Sequence, residues 1–292
     1  MSETRLLLDT SIQIKRILSN KWRAAGHDSV WNEVTPCTSH YLWMEFKRSV
    51  IGALEFLART ISEARDDAMP NAAAVRLSEV LNLLTIDTTT ITGDRRLRLA
   101  CAFAAKLFSE IERFDKPRSV AYVLRQIRVE AENLEKVLFF HYSRNGAPNH
   151  MQLVDTVKCD LGATMSPLRG GLGKYTCCKK KLSCEILKMV EKSGFRAIAA
   201  AVSTGEIRFH SSRFRDGVMA LKEALDDGTL VDGQSIGQTL CFPVGDYIIV
   251  SEAFMHQIGI FSADRDQITL GSYFKVMRLY YDQRDEIFIP NT

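Results

Sequence analysis

Four carboxylates in this chain end or interrupt apolar runs: Asp9, Glu45, Asp246 and Asp264. Asp9 closes Leu6-Leu7-Leu8, and Asp264 closes Ile258-Gly259-Ile260-Phe261-Ser262-Ala263; both runs read as buried strands. Glu45 and Asp246 lie within, or at the start of, apolar stretches with helical spacing. Carboxylates gathered where strands end suit a hard divalent cation, which takes oxygen ligands. Such a cation polarises a phosphoryl oxygen and makes water a better nucleophile, so the expected chemistry is metal-assisted hydrolysis, of a phosphodiester first of all. The plainer reading of each acid is a strand-end or helix-capping aspartate.

The elements that must position these acids follow from spacing. Residues 5–9 read as a first strand. A helix capped by Thr10 or Ser11 runs through Ile12, Ile14, Ile17 and Leu18. Thr38 or Ser39 caps a second helix that carries Glu45 and continues through Val50-Ile51 towards Phe56-Leu57. Pro70 marks a break, followed by helix over 72–83 and a second strand over Leu83-Leu84-Thr85-Ile86-Asp87. Residues 95–113 and 117–141 are strongly helical, and 144–177 are rich in Gly, Pro and Asn with little periodicity. Helices are expected again over 182–202, 213–225 and 247–256, with strands over 258–263 and 275–280 before a polar tail. The outer parts alternate strand and helix, which predicts an α/β fold with a parallel sheet and helices on both faces.

Composition narrows the function classes. Of 292 residues, 46% are hydrophobic and 25% charged, the balance of a folded globular chain. No apolar run approaches the roughly 18 residues needed to span a bilayer, so no membrane role is expected. Met1-Ser2-Glu3-Thr4-Arg5 does not open a secretory signal. Seven irregularly spaced cysteines fit reduced thiols, hence a cytoplasmic location. The net charge of +3 is unevenly spread: residues 141–222 hold fourteen Lys/Arg against six Asp/Glu, a local +8, which leaves −5 elsewhere. A basic segment beside an acidic site suits a polyanionic substrate; a merely solvated basic surface would look the same.

The motifs together resemble the PIN-domain nucleases, of which the VapC-like proteins are one branch. Leu7-Leu8-Asp9-Thr10-Ser11 resembles their opening strand and aspartate. Thr38-Ser39-His40-Tyr41-Leu42-Trp43-Met44-Glu45-Phe46 resembles a capped helix presenting a glutamate. Asp246-Tyr247-Ile248-Ile249-Val250-Ser251-Glu252-Ala253 resembles the third motif, and Ile260-Phe261-Ser262-Ala263-Asp264-Arg265-Asp266 the fourth. Leu84-Thr85-Ile86-Asp87 fits the family's central strand. The resemblance implies a three-layer sandwich around a parallel sheet, built from 1–112 and 236–292, with 113–235 a mainly helical, basic insertion that the family does not explain. It further implies Mg²⁺ or Mn²⁺ held by Asp9, Glu45, Asp246 and Asp264, with Asp266 replacing or assisting Asp264. Thr10 and Ser262 would then contact these ligands or a phosphate. The implied activity is an endoribonuclease acting through metal-activated water, of the kind found in toxins or defence effectors held by an inhibitory protein partner; a homo-oligomer is compatible. RNA is the expected substrate and DNA is not excluded, because hydrolysis by metal-activated water needs no 2′-hydroxyl. The alternative is a non-catalytic RNA-binding or scaffold protein that keeps the fold.

Other features carry less. Lys179-Lys180-Lys181 beside Gly170-Gly171-Leu172-Gly173 offers three ammonium groups for nucleic-acid phosphates. Cys177, Cys178 and Cys184 with Cys159, His150 or His210 invite a zinc reading, but the spacing is no C-x₂-C pair. The glycine run lacks the full nucleotide-binding pattern, since Tyr175 follows Lys174, and no G-x-S-x-G elbow marks a serine hydrolase.

Overall fold

A computed structural model describes residues 4–18, 34–67, 73–86, 95–110, 116–142, 148–154, 194–227, 238–276, 278–281 and 288–291. In chain order the elements are β1 (Thr4–Leu8), α1 (Thr10–Leu18), β2 (Val34–Thr38), α2 (His40–Phe46), a π-helical turn (Lys47–Ile51), α3 (Gly52–Asp67), β3 (Ala74–Val75), α4 (Leu77–Ile86), α5 (Arg95–Glu110), β4 (Arg118–Ser119), α6 (Val120–Val137), β5 (Phe140–Tyr142), β6 (Pro148–His150), β7 (Gln152–Leu153), α7 (Phe195–Ser203), α8 (Ser212–Asp226), α9 (Gln238–Met255), β8 (Gly259–Ser262), α10 (Arg265–Tyr273), β9 (Arg278–Tyr281) and β10 (Phe288–Asn291).

The main sheet has the order β10-β9-β8-β1-β2-β7. All pairings from β9 to β7 are parallel, and only β10 runs antiparallel, at the edge. β1 is central, and it buries Leu6, Leu7 and Leu8 together because both faces are covered. Alternation along the strand sends Leu7 into the large cluster with Tyr41, Phe46, Tyr247 and Ile260, while Leu6 and Leu8 pack with Ile12, Met151 and Phe261. This is an α/β architecture with a central parallel sheet between helical layers.

The expected strand over 83–87 is instead the end of helix α4, which runs to Ile86; Asp87 lies outside the described residues. Leu77, Val80, Leu81 and Leu84 recur at helical spacing and face the large core, and the short Leu83-Leu84-Thr85-Ile86 run at the helix end mimicked a strand. The strand beside β1 is Val34-Thr35-Pro36-Cys37-Thr38, which sequence reasoning passed over. Pro36 argues against a central strand, but β7 pairs β2 only at Cys37 and Thr38, so Pro36 sits where β2 is still an edge. The polar tail also contains a strand, β10. Helix α9 begins at Gln238, so Asp246 lies inside it rather than opening it.

The stretch between the second and third acidic motifs is woven into this architecture. β7 extends the main sheet, α6 packs on the α3 side, and α8 packs along α9. Helices α9 and α10 return to the sheet through the same kind of turn. Gln257 (φ 53°) and Lys275 (φ 54°) adopt left-handed backbone after each helix. Ile258 N–H donates to Ala253 C=O and Gln257 N–H to Phe254 C=O; Val276 to Gly271 and Lys275 to Ser272 repeat the pattern. The following residues, Ile258 and Val276, are buried and lead into β8 and β9.

Candidate functional site

β1 and β8 are parallel neighbours, with Leu8 opposite Phe261, so their carboxyl ends lie side by side. Asp9 N–H continues the ladder to Phe261 C=O at 3.0 Å. That places the Asp9 side chain at the edge where open parallel sheets hold their ligands. Asp9 is 4% exposed. Its Oδ2 accepts from Ser11 N–H (3.0 Å), from the Ser11 hydroxyl, and from Ser262 Oγ (3.2 Å). The Ser11 hydroxyl in turn accepts from Ala263 N–H at 3.0 Å, which stitches the two strand ends together.

Glu45 reaches the same edge from α2. Ser39 caps that helix in extended conformation, its Oγ accepting from Leu42 N–H at 3.3 Å. The same hydroxyl donates to Oε2 of the wholly buried Glu252 on α9 at 2.7 Å, which ties the start of α2 to the helix carrying Asp246. Glu45 Oε2 accepts from Thr10 Oγ1 at 3.3 Å and Oε1 from Tyr41 Oη at 3.4 Å. Two residues on, Lys47 is 1% exposed and lies 3.3 Å from Glu135 Oε1, anchoring the π-helical turn to α6. Thr10 and Ser262 thus bond Glu45 and Asp9 respectively.

Asp264 caps α10: its Oδ1 accepts from Asp266 N–H at 2.8 Å and from Gln267 N–H at 3.4 Å, and its own N–H donates to Ser262 Oγ at 2.9 Å. It is exposed, at the mouth of the site, whereas Asp9 lies at the bottom. Asp246 accepts from Gln267 Nε2 at 3.0 Å. Burial, and then the carboxylates of Asp264, Glu45 and Asp9, push the Asp246 carboxyl well above the usual carboxylate range; the Gln267 bond pulls weakly the other way. The other three expected acids thus all lie close enough to Asp246 to act on it. Among the described residues no three His, Cys, Asp or Glu side chains already stand as a ready metal cage.

Asp266 belongs to a different network. Its Oδ1 accepts from His210 N–H at 2.5 Å, and both oxygens accept from Ser211 N–H at 3.2–3.3 Å, so both carboxylate oxygens are engaged by the backbone before α8. It is buried because it fastens the loop that caps α8. That loop carries a basic rim. Arg265 lies between the His210 ring (Nη1 to Nε2, 2.8 Å) and Tyr280 (Nε to Oη, 2.9 Å), and stands over the Tyr280 ring at 5.9 Å. Arg208, Arg213 and Arg215 are exposed along the same segment. The Lys179-Lys180-Lys181 run, the glycine run and Cys159, Cys177, Cys178 and Cys184 lie outside the described residues. No helix among the described residues is long and apolar enough to cross a membrane.

Sequence reasoning missed Ser11, Tyr41, Glu252 and Gln267. A signal for Gln267 existed: Asp264-x-x-Gln267 has capping-box spacing. The structure diverts that glutamine. Its amide turns away from the Asp264 backbone and donates to Asp9 Oδ1 (3.1 Å) as well as Asp246. No protein-family model, no curated protein and no solved structure matches the chain.

Proposed function

We propose that this chain is a divalent-cation-dependent nuclease of the PIN type, with RNA as its substrate. The observation that carries the reading is the convergence on Asp246 of three further carboxylates, Asp264, Glu45 and Asp9, from four separate chain segments at the carboxyl ends of β1 and β8. Like-charged carboxylates drawn together in this way, with Asp9 buried and Glu45 and Asp246 partly so, are costly unless a positive charge enters, and an all-oxygen donor set matches Mg²⁺ or Mn²⁺. Asp9, Glu45, Asp246 and Asp264 would hold the ion, which supplies polarisation of the phosphate and a more acidic attacking water. The chain's own groups set the geometry. Ser11 and Ser262 fix the Asp9 carboxylate, and Thr10 and Tyr41 fix Glu45. Arg265 stands next to Asp264, and the exposed Arg208 and Arg213 flank the His210–Ser211 loop that Asp266 holds; the charge asymmetry of the sequence supports the same polyanionic substrate.

The test is cleavage of matched single-stranded RNA and DNA oligonucleotides with Mn²⁺, Mg²⁺ or chelator, comparing the wild type with Asp9→Asn. Metal-dependent cutting of RNA, reduced at least a hundredfold in the variant, is expected (on the order of 3 kcal/mol of transition-state stabilisation). Cutting of DNA alone would move the substrate assignment. Equal cutting by both proteins would remove Asp9 from the mechanism. RNA binding without cutting by either would favour the scaffold reading.

A further inference from the structure

Gln267 is 1% exposed and bonds three of the four acids, Asp9, Asp246 and Asp264. Its position, third in α10 after the Asp264 cap, would ordinarily send the side chain back to the cap's own N–H. That N–H is already taken by Ser262 Oγ. The amide instead places one nitrogen between two carboxylates, Nε2 to Asp9 Oδ1 at 3.1 Å and to Asp246 Oδ1 at 3.0 Å. Its two protons are thereby used, one on each acid. The other end of the amide differs: Oε1 is buried and has no hydrogen-bond partner among the described residues. A neutral donor thus occupies the place between Asp9 and Asp246, and an unmet oxygen acceptor sits one short rotation away.

We propose that Gln267 is a cation-responsive amide. Without a cation its Nε2 holds Asp9 and Asp246 together, and when a divalent cation enters between them the amide turns over and offers Oε1 as a neutral oxygen ligand. This rests on reading the four acids as a cation site. An N–H donor cannot face a divalent cation, so the present orientation and the loaded site exclude each other. The terminal torsion of a glutamine is broad and roughly two-fold, so exchanging Nε2 for Oε1 needs no backbone movement. Carbonyl oxygens of amides are ordinary ligands for hard cations.

The experiment is Mn²⁺ titration by calorimetry of the full chain, as wild type, Gln267→Leu and Gln267→Glu, together with melting of each in chelator. The wild type should bind. Gln267→Leu should bind about tenfold more weakly, having lost the ligand. Gln267→Glu should bind as tightly as the wild type or tighter, yet melt lower in chelator, because a fifth carboxylate replaces the donor. On the wild type alone, the side-chain amide NMR signals of Gln267 should shift on adding Mg²⁺. Unaltered amide signals at saturating Mg²⁺, or Gln267→Leu binding as the wild type does or more tightly, would overturn the proposal while leaving the cation site intact. A wild type that binds neither Mn²⁺ nor Mg²⁺ at millimolar concentration would overturn both.

Discussion

Asp246 concentrates the electrostatics of the site in one side chain. Its folded carboxyl holds a proton more tightly than in the unfolded chain, through burial and the neighbouring Asp264, Glu45 and Asp9 carboxylates. A group raised in this way contributes fully at low pH, loses that contribution as pH climbs past the ordinary carboxylate range, and opposes folding above its raised value. Cation-free protein should therefore lose stability across that interval. Asp246→Asn keeps an oxygen for Gln267 and removes the charge, so in chelator at neutral pH it should melt higher, by roughly 2–4 °C, with a flatter pH profile. A melting temperature equal to or below that of the wild type at pH 7 would contradict this account. The sign reverses for cation binding, which needs the carboxylate: Mn²⁺ affinity should rise with pH over the same interval.

At the scale of elements, short hydrogen-bonded junctions aim the side chains more than the helices and strands themselves do. α2 is anchored at its start by Ser39 to Glu252, and the Asp9 and Ser262 strand ends are joined through Ser11. Asp266 makes a third junction, between α10 and the loop before α8. Asp266→Ala leaves the His210 and Ser211 N–H groups without their acceptor, so a stability loss of about 1–3 kcal/mol in urea denaturation is expected. Mn²⁺ affinity should stay within twofold of the wild type. Weakened Mn²⁺ binding at unchanged stability would instead return Asp266 to the ligand set.

Across the whole molecule, the helical layers are tied to the site by a few polar links through an apolar core. Lys47 and Glu135 form such a link between the turn after Glu45 and α6, with both side chains nearly or wholly buried. Replacing Lys47 by Met removes the cation beside a buried carboxylate and should cost about 3–5 kcal/mol. The double variant Lys47→Met with Glu135→Leu should recover much of that loss. A single variant as stable as the wild type would mean that the pair carries no structural weight.

The sequence by itself determined β1, α1, the Ser39 cap of α2, most of α5, α6 and α8, and β8, because each has a local cause: an apolar run, a helical stripe or a capping hydroxyl. It also singled out Asp246 and the three carboxylates that the structure brings near it, since an acid ending or interrupting an apolar run is visible without a fold. Where local signals pointed one way and pairing the other, it misled. Pro36 disfavours a strand, yet β2 forms because β1 lies beside it; Leu83 to Ile86 read as a strand, yet they end a helix whose Leu77, Val80, Leu81 and Leu84 pack in the core; Gln238 to Gly245 gave no helical signal, yet α9 starts there. The furnishing of the site depends on contacts between distant segments. The diversion of Gln267 to Asp9 and Asp246, the burial of Glu252 against Ser39 and the fastening of His210 by Asp266 join residues from 56 to 258 positions apart, with Asp246 the exception at 21. No spacing rule reaches across such separations; they are fixed by which strand ends the sheet order places together.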